Sequence, residues 1–349
     1  MSTKNKVLID IGHPAHVHYF KNAIKILSGE GAEFFITARD KDVTFSLLDS
    51  LGLNYFNRGK GSDSLLGKLA YTFVADFKLI SCAKKFKPDL FLSFGSPYAA
   101  HASKYLGLKH IAFDDTENAK LSHVLYRPFT EVIYSPSSYK GKISKNQLVF
   151  NGYMELAYLH PNYFTPNPEI LKKINVVEGE KFVIIRFVSW NANHDLGHSG
   201  LTLKHKIEVV TQLSKFGKVL ITSEGELPKE LIPYQINIEP IDLHHILAFA
   251  SLLYGESATM ASECAILGTP SIYHDNVGRG YTDELESKYK MVYNFSESEA
   301  DQRLGLKKAI ELLSNHDKGE FLKRREKILK ENIDVTEFII DKIKCHLLD

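Results

Sequence analysis

The sequence predicts an α/β protein of two domains, each built on a parallel sheet with helices on both faces. Short apolar runs alternate with longer amphipathic stretches along the chain, and this alternation is typical of parallel sheets. The chain has 349 residues, and at about 150 residues per domain this length indicates two domains. The proline-rich residues 160–168, near the middle of the chain, predict a linker.

The first domain begins with an apolar run that leads into Gly12 and then into a helical pattern ending at Gly29. Ligands of parallel α/β sheets bind beyond the carboxyl ends of the strands, where the turns at His13, Gly95 and Asp114 fall. We predict strands in this domain at residues 7–11, 34–37, 90–93, 110–113, 131–134 and 147–150.

The second domain follows a boundary that we place near residue 155. A charged, amphipathic helical pattern covers residues 318–347. The predicted division is therefore 1–155, 156–325 and a C-terminal helical segment at 326–349. We predict strands in the second domain at residues 182–188, 219–222, 236–238, 252–254 and 271–273.

Composition and charge limit the function classes. A net charge of +1 provides no general attraction for nucleic acid, so no such partner is expected. Cys82, Cys264 and Cys345 lack the spacing of metal ligands and suit a reducing cytoplasm. The polar residues 1–6 run directly into the first strand, and no apolar run approaches the ~20 residues of a membrane span. We therefore expect neither a signal peptide nor a membrane-spanning helix.

The segment after the strand at 252–254 has the pattern of an anion-binding turn and helix. Gly255 lets the backbone turn sharply, and Ser257 or Thr259 can cap the helix that follows. The free N–H groups and the positive dipole end of such a helix attract phosphate without a lysine. We therefore predict that a diphosphate binds at this helix start.

Glu263 lies one turn into the same helix. A carboxylate in this position can accept hydrogen bonds from both hydroxyls of a ribose whose phosphates lie at the helix start, which predicts a nucleotide-sugar site. The alternative is a solvated glutamate on a surface helix. Gly268 and Pro270 are expected to end the helix. Its core-facing side carries Met260, Cys264 and Leu267.

Residues 255–270 resemble the donor-binding segment of two groups of GT-B enzymes. These are the N-acetylglucosaminyltransferase that makes the last lipid-linked peptidoglycan precursor and the non-hydrolysing UDP-N-acetylglucosamine 2-epimerases. Both have a small-residue loop, a glutamate, and Leu-Gly-x-Pro or a close variant. Nearly the whole chain is more similar still to an uncharacterised prokaryotic family, a domain of unknown function related to these enzymes. That family opens with Asp-Ile-Gly-His-Pro-Ala-His, here residues 10–16.

The resemblance implies a GT-B fold, in which two Rossmann-like domains face each other across a cleft. The first domain would bind the acceptor, the second would bind the donor, and the C-terminal helix would cross back onto the first domain. In the relatives, the glutamate that matches Glu263 holds the nucleotide ribose. Glu256 departs from their small-residue loop, so its charge either turns away from the phosphates or the phosphates lie elsewhere. The matching donor loop here is Ser257, Ala258, Thr259 and Met260.

The first loop contains three histidines, and neutral imidazole is suited to proton transfer near pH 7 and to metal binding. The resemblance places Gly12 and His13 at the cleft, and His16 matches a histidine of the peptidoglycan enzyme that could deprotonate an acceptor hydroxyl. One alternative is a metal site at His16 and His18, as in amidohydrolases, which need an eightfold barrel and further ligands. Another is a helix cap with one histidine packed inside.

An acidic group follows the strand at 110–113. Crowded carboxylates raise one another's pKa values, so Asp115 and Glu117 are candidates for the acid or base, as in relatives whose matching loop carries a glutamate. The alternative is that Asp115 and Thr116 only cap a helix. Of the two candidate bases we prefer His16 to Asp115.

Three positions in the second domain complete the candidate donor site. Arg186 lies inside an apolar strand, so it needs a partner, either a bound diphosphate or a buried carboxylate. Ile241 matches the residue whose backbone holds uracil in the peptidoglycan enzyme. Arg279 lies in a loop where relatives contact the donor sugar, with a solvated arginine as the alternative. The polar loop 189–200, which contains Trp190, either contacts substrate or is a plain surface loop.

These observations predict a metal-independent glycosyltransferase without a cofactor. It would move a sugar from a nucleotide diphosphate, by resemblance UDP, to a hydroxyl of a glycan or lipid-linked acceptor in polysaccharide or glycolipid synthesis. The alternatives are a UDP-N-acetylhexosamine 2-epimerase, a metal-dependent hydrolase and a nucleotide-sugar-binding protein without turnover. Residues 65–74 mix apolar and basic side chains, which indicates either peripheral contact with the inner face of the membrane or a buried helix.

Overall fold

The computed structural model describes residues 5–62, 65–177, 179–188 and 200–348, apart from the side chains at 65, 66, 68 and 69. The chain forms two compact units. Unit 1 consists of Met1–Tyr158 and Asn332–Asp349, and unit 2 is Leu159–Glu331. Each unit is an α/β structure with one parallel sheet, which confirms the predicted fold class.

Unit 1 contains a parallel sheet in the order β3-β2-β1-β4-β5-β6-β7. The inner strand β1 pairs with β2 on one side and β4 on the other, and its residues from Val7 to Ile11 are buried. The strands are β1 Lys6–Ile11, β2 Glu33–Arg39, β3 Tyr55–Gly59, β4 Leu90–Phe94, β5 Lys109–Phe113, β6 Val132–Pro136 and β7 Gln147–Phe150.

The helices of unit 1 cover this sheet. The helix α3 connects β3 to β4. The last helix of the chain, α13, packs against α1. The helices are α1 Pro14–Gly29, α2 Thr44–Ser50, α3 Leu65–Phe86, α4 Pro97–Leu106, α5 Lys120–Tyr126, α6 Leu156–Leu159, which ends in unit 2, and α13 Val335–Leu348.

Unit 2 contains a parallel sheet in the order β12-β11-β10-β8-β9. The strands are β8 Phe182–Phe187, β9 Lys218–Ser223, β10 Leu252–Gly255, β11 Ser271–His274 and β12 Val292–Phe295. The helices are α7 Leu203–Leu213, α8 Leu243–Phe249, α9 Ala258–Leu267, α10 Gly280–Ser287, α11 Glu299–Ser314 and α12 Lys318–Glu331.

Four elements differ from the sequence-based expectations. The strands β3 and β12 were not predicted, because the sequence of β3 is largely polar and both are short edge strands. Residues 236–238 were predicted as a strand but are not one, since only Gln235 bridges Ile221 there. The C-terminal pattern is divided into α12 and α13, because Asp334 accepts a hydrogen bond from the N–H of Glu337 and starts a new helix. In the part of the chain that the structure describes, no helix is long and apolar enough to cross a membrane.

Candidate functional site

The helix α9 begins directly after β10, at the carboxyl edge of the unit 2 sheet. Ser257 is its N-cap, with extended backbone angles and an Oγ that accepts the N–H of Met260 at 3.3 Å. Helix geometry leaves the amides of Ala258 and Thr259 without intrahelical acceptors. The helix ends at Gly268, whose φ of 93° is left-handed, so the predicted start and end of this helix are confirmed.

Gly255 has a different role from the one expected. It is the last residue of β10 in the strand ladder and not a sharp turn. A β-carbon at Gly255 would collide with the carbonyl oxygen of Arg186 on the neighbouring strand. The glycine is therefore required by the close approach of β10 to β8.

Glu263 is 4% exposed. The whole of α9 from Met260 to Leu267 is buried, which excludes the solvated glutamate. Oε1 of Glu263 lies 2.9 Å from Nε2 of His244, a buried residue of α8. A buried carboxylate is costly without polar partners, so this pairing holds Glu263 in one orientation. The sequence analysis missed His244, because its partner lies on another helix.

Glu256 is buried, and its carboxylate accepts two backbone N–H groups, from Val188 at 3.0 Å and from Leu201 at 2.7 Å. These two amides flank residues 189–199. The side chain of Glu256 therefore points to the end of β8 and the segment before α7. This agrees with the alternative in which its charge turns away from the predicted phosphate position. The predicted loop, including Trp190, lies outside the described residues.

The two arginines of the predicted donor site both have partners in the protein. Nη2 of Arg186 lies 2.5 Å from Oε1 of Glu224, whose side chain is 45% exposed, so the partner in the protein is a surface carboxylate and not the buried one that was expected. Arg279 is the N-cap residue of α10, and its Nη1 donates to the carbonyl of Gly278 at 2.9 Å and lies 3.7 Å from Oδ2 of Asp275. It is half-buried and not a freely solvated side chain.

Ile241 lies just before α8 and is 37% exposed. The neighbouring residue Asp242 is buried, and its Oδ2 pairs with Nζ of Lys173 at 2.5 Å. A cavity of about 130 Å³ is lined by Lys173, Ile174, Asn237, Ile238, Glu239, Asp242 and Ile246. The segment at Ile241, which is predicted to hold the nucleobase, therefore borders a small cavity in unit 2.

In unit 1, Gly12, His13 and His16 form the turn from β1 into α1. His13 is the N-cap of α1, and its Nδ1 accepts the N–H of Ala15 at 3.2 Å. Nδ1 of His16 accepts the N–H of Gly12 at 3.3 Å. Burial, together with Lys41 and Arg39, lowers the pKa of His13 to about 3. Burial and the charges of His13, Lys41 and Arg58 hold the pKa of His16 well below its usual value. Both rings are therefore neutral at pH 7.

The arrangement of His16 bears on its predicted role as a base. A neutral imidazole whose Nδ1 accepts a hydrogen bond carries its proton on Nε2. Nε2 of His16 is then a donor, and removing a proton from substrate would require a tautomer change and loss of the bond to Gly12.

His18 does not share a site with His16. Its ring stacks on Tyr158 with centroids 5.0 Å apart, and its Nδ1 lies 3.3 Å from Nζ of Lys21. Among the described residues, no group of three or more histidine, cysteine, aspartate or glutamate side chains is arranged to hold a metal ion.

The acidic segment after β5 contains carboxylates with different environments. Asp114 accepts the hydroxyl of Tyr126 at 2.6 Å and lies 3.2 Å from Nε2 of His123. Asp115 is buried and accepts the hydroxyl of Thr116 at 3.1 Å. Glu117 accepts the backbone N–H of Lys140 at 3.2 Å. These side chains do not cap α5, because its N-cap residue is Ala119 and no side chain caps the helix there.

A buried polar cluster that the sequence analysis missed lies beside the first turn. Asp10 has no exposed surface, and its carboxylate accepts the hydroxyls of Thr37 at 2.7 Å and Ser96 at 2.5 Å. Nε of Arg58 lies 3.1 Å from Asp10, and the guanidinium stacks over the ring of Tyr98 at 4.4 Å. An aspartate inside an apolar strand was the available signal for this cluster.

The chain thus has two Rossmann-like units with parallel sheets, and comparison with known proteins shows that this is the GT-B fold. Residues 5–294 match the family described as protein of unknown function (DUF354), and the chain belongs to that family. It is 25% identical over 280 residues to an uncharacterized protein of Methanocaldococcus jannaschii, covering 76% of this chain and 80% of that protein.

Two solved structures illustrate the fold similarity. The UDP-GlcNAc 2-epimerase of Neisseria meningitidis, solved bound to UDP-GlcNAc, matches with a TM-score of 0.71 at 14% identity. That match covers 97% of this chain and 99% of the epimerase. The glycosyltransferase VinC, solved in complex with DTDP, matches with a TM-score of 0.63 at 14% identity, over 98% of this chain and 99% of VinC.

Proposed function

We propose that this protein is a metal-independent glycosyltransferase that uses a nucleotide-diphosphate sugar, by resemblance a UDP-sugar, as its donor. The observation that supports the donor site best is the combination of the Ser257-capped start of α9 with the buried carboxylate of Glu263 one turn further along. The helix start suits the diphosphate and the carboxylate suits the ribose. The segment at Ile241, which resembles a uracil site, lies in the same unit.

The helix start is suited to a leaving diphosphate. Residues 257–259 are only partly buried, in contrast to the rest of α9. As the bond between the anomeric carbon and the diphosphate oxygen breaks, the electron pair moves onto the diphosphate. Fixed N–H dipoles at a helix N-terminus stabilise such developing charge without reorganisation. This arrangement supports catalysis without a metal ion.

Unit 1 would supply the acceptor side and the proton acceptor. The acceptor oxygen forms a bond to the anomeric carbon and gives its proton to a base of unit 1. The candidates are His16, Asp115 and Glu117. Because Nε2 of His16 carries the proton in the described geometry, the carboxylate of Asp115 is the group that can take it. Glu117 lies two residues away, and its carboxylate is the second candidate proton acceptor.

A second candidate function is a nucleotide-sugar 2-epimerase. It is favoured by the match to the Neisseria epimerase over nearly the full length of both chains. An epimerase would use the same donor site in unit 2 but needs no acceptor. Incubation with UDP-GlcNAc alone, followed by proton NMR of the sugar, separates the two: a new epimer supports the epimerase, and an unchanged sugar supports the transferase.

We also propose that unit 1 contacts a lipid surface, in keeping with a lipid-linked acceptor at the inner face of the membrane. The buried-helix alternative for residues 65–74 is wrong for its C-terminal part, because Phe73 is 70% exposed. Phe77, one turn further, is 73% exposed, and Leu121 on α5 is 69% exposed. The helices α3 and α5 both pack near His101 of α4, which contacts Asp76 and the carbonyl of Leu125.

Charge favours a lipid surface as the occupant of this apolar face. The exposed Lys120 and Arg127 lie at the two ends of α5, where they can meet anionic headgroups. Sedimentation with phosphatidylglycerol vesicles tests the contact. The double variant Phe73→Ser, Phe77→Ser should lose binding, whereas Val177→Ser, at a residue of unit 2 that is equally exposed, should keep it. Equal binding by both variants would contradict the proposal.

The donor assignment is tested by calorimetry with UDP, uridine and UDP-sugars in EDTA. Saturable binding of UDP that is much tighter than binding of uridine supports a diphosphate site at α9. Equal affinities for UDP and uridine would exclude it.

A further inference from the structure

We propose that the turn between β1 and α1 is a binding site for an anionic oxygen group, a phosphate or a carboxylate, which His13 and His16 bind as neutral hydrogen-bond donors. In the proposed transferase this group belongs to the acceptor. The identity of the ligand as an acceptor rests on the proposed function, whereas the site itself rests on the geometry of unit 1.

Hydrogen bonds define which nitrogen of each ring carries the proton. Nδ1 of His13 accepts the N–H of Ala15, and Nδ1 of His16 accepts the N–H of Gly12. A nitrogen that accepts a hydrogen bond from an amide has no proton of its own, so the neutral rings carry their protons on Nε2. Both side chains are partly exposed, and neither Nε2 has an acceptor within the described ranges. The ring centroids are 5.9 Å apart, so one ligand group can reach both rings.

The charges around these rings favour an anion. The cations that act on His13 are Lys41 and Arg39, at the carboxyl end of β2, and those that act on His16 include Lys41 and Arg58. The nearby carboxylate of Asp10 is already paired with Arg58, and Nζ of Lys41 lies 3.8 Å from Oδ2 of Asp42. Arg39 is then the cation near the turn for which the described chain shows no ion pair. This positive environment disfavours a proton on either ring and attracts negative oxygen. The histidines therefore remain neutral donors while the cations supply the charge.

The guanidinium groups of Arg58 and Arg39 have buried N–H donors without acceptors, so their positive charge is not fully compensated. Arg58 is 1% exposed, and its Nη2 donates to the carbonyl of Ile11 at 3.4 Å. Its Nη1 is buried without a hydrogen-bond acceptor in the described chain, and the same holds for Nε of Arg39. Arg39 lies flat against the backbone of Gly61, where a β-carbon would collide with it. Buried donors without acceptors are costly, and an anion at the turn would offset part of that cost electrostatically.

The site can be tested with inorganic phosphate and acetate as probes, using nitrogen-15 NMR of histidine side chains in the full-length protein. The resting protein should show Nε2–H tautomers for His13 and His16. Phosphate or acetate should then shift both Nε2 resonances saturably, at constant ionic strength. Stronger binding of phosphate indicates a phosphorylated acceptor, and stronger binding of acetate indicates a carboxylated one.

Asparagine variants separate the donor role from the structural role. An asparagine side-chain oxygen can replace Nδ1 as the acceptor of Ala15 or Gly12, but it cannot replace the Nε2–H group. His13→Asn and His16→Asn should therefore stay folded and weaken binding of the preferred probe about 10-fold or more. His18→Asn is the matched control, because His18 stacks on Tyr158, and it should leave the affinity unchanged.

Two results would overturn the proposal. One is a proton on Nδ1 of either ring, and the other is the lack of a saturable shift with both probes. Repeating the titration with saturating UDP keeps the donor site occupied, so phosphate at α9 does not contribute. Failure of UDP to bind would contradict the proposed function, while the shifts of His13 and His16 would still report on this site.

Discussion

Replacement of Glu263 by glutamine tests the predicted ribose contact with little change of shape. Glutamine keeps the side-chain volume and an oxygen that can accept from His244, which lies 2.9 Å from the carboxylate. It removes the negative charge and one acceptor. Nucleotide binding should therefore weaken while the fold persists. Glu263→Ala should have a larger effect, since it also leaves His244 without its partner and opens a cavity in a buried helix.

The size of the effect follows from the burial of the site. A hydrogen bond to a charged group contributes about 1.5 to 3 kcal/mol, which corresponds to a loss of ~10- to 150-fold in affinity for Glu263→Ala. The loss should be small for 2′-deoxyuridine diphosphate, because that ligand lacks one of the two hydroxyls. The ratio of the dissociation constant of the 2′-deoxy analogue to that of UDP should thus fall in the variant.

Calorimetry with both nucleotides measures this ratio directly. Glu230→Gln, at an exposed position of unit 2, is the charge-matched control and should bind like the wild type. Thermal unfolding of each variant without ligand checks that the fold is kept. An unchanged dissociation constant for UDP in a folded Glu263→Ala variant would remove Glu263 from the site.

Three further predictions concern the base, metal and pH. Asp115→Asn should lower kcat by ~10²-fold or more with little change in donor affinity; if it instead lost donor binding at normal kcat, the assignment of the units would be reversed. Transfer activity should persist in EDTA, and about one tightly bound metal ion per chain that is lost in His16→Ala would favour a hydrolase. Burial lowers the pKa of His274 to about 4, so the unfolded chain binds a proton that the folded chain does not as pH falls from about 6.5 to 4. Stability should therefore fall by up to about 3 kcal/mol over that range. The urea midpoint of His274→Gln should depend less steeply on pH than that of the wild type. Equal pH dependence in the two proteins would contradict His274 as the cause.

Much of the fold could be predicted because buried parallel strands have apolar sequences. The run at β1 and the segment from β10 to Gly268 show this, since strand, cap and helix end each have a local signal. The edge strand β3 could not be predicted in this way, because it needs no continuous apolar face. The close approach that requires Gly255 also has no local signal, since it depends on a neighbouring strand.

The candidate site was predictable where function leaves a residue type in a characteristic position. Glu263 and His16 were chosen as candidates on that basis. Their partners His244 and Gly12 determine orientation and tautomer, and these depend on contacts made only after folding. Asp10 had a usable signal, because a charged residue in a buried strand must be paired, whereas Arg58 lies in the unpredicted edge strand β3. Their partnership with each other could not be derived from the sequence.

The most direct test of the central claim is hydrogen–deuterium exchange of the full-length protein with and without UDP. If α9 and the segment at Ile241 form the donor site, UDP should slow exchange at residues 257–263 and 238–243 of unit 2, with little change at the β1–α1 turn. The helix start should be protected because phosphate oxygens accept its amide hydrogens. Protection confined to unit 1, or none at saturating UDP, would contradict the account.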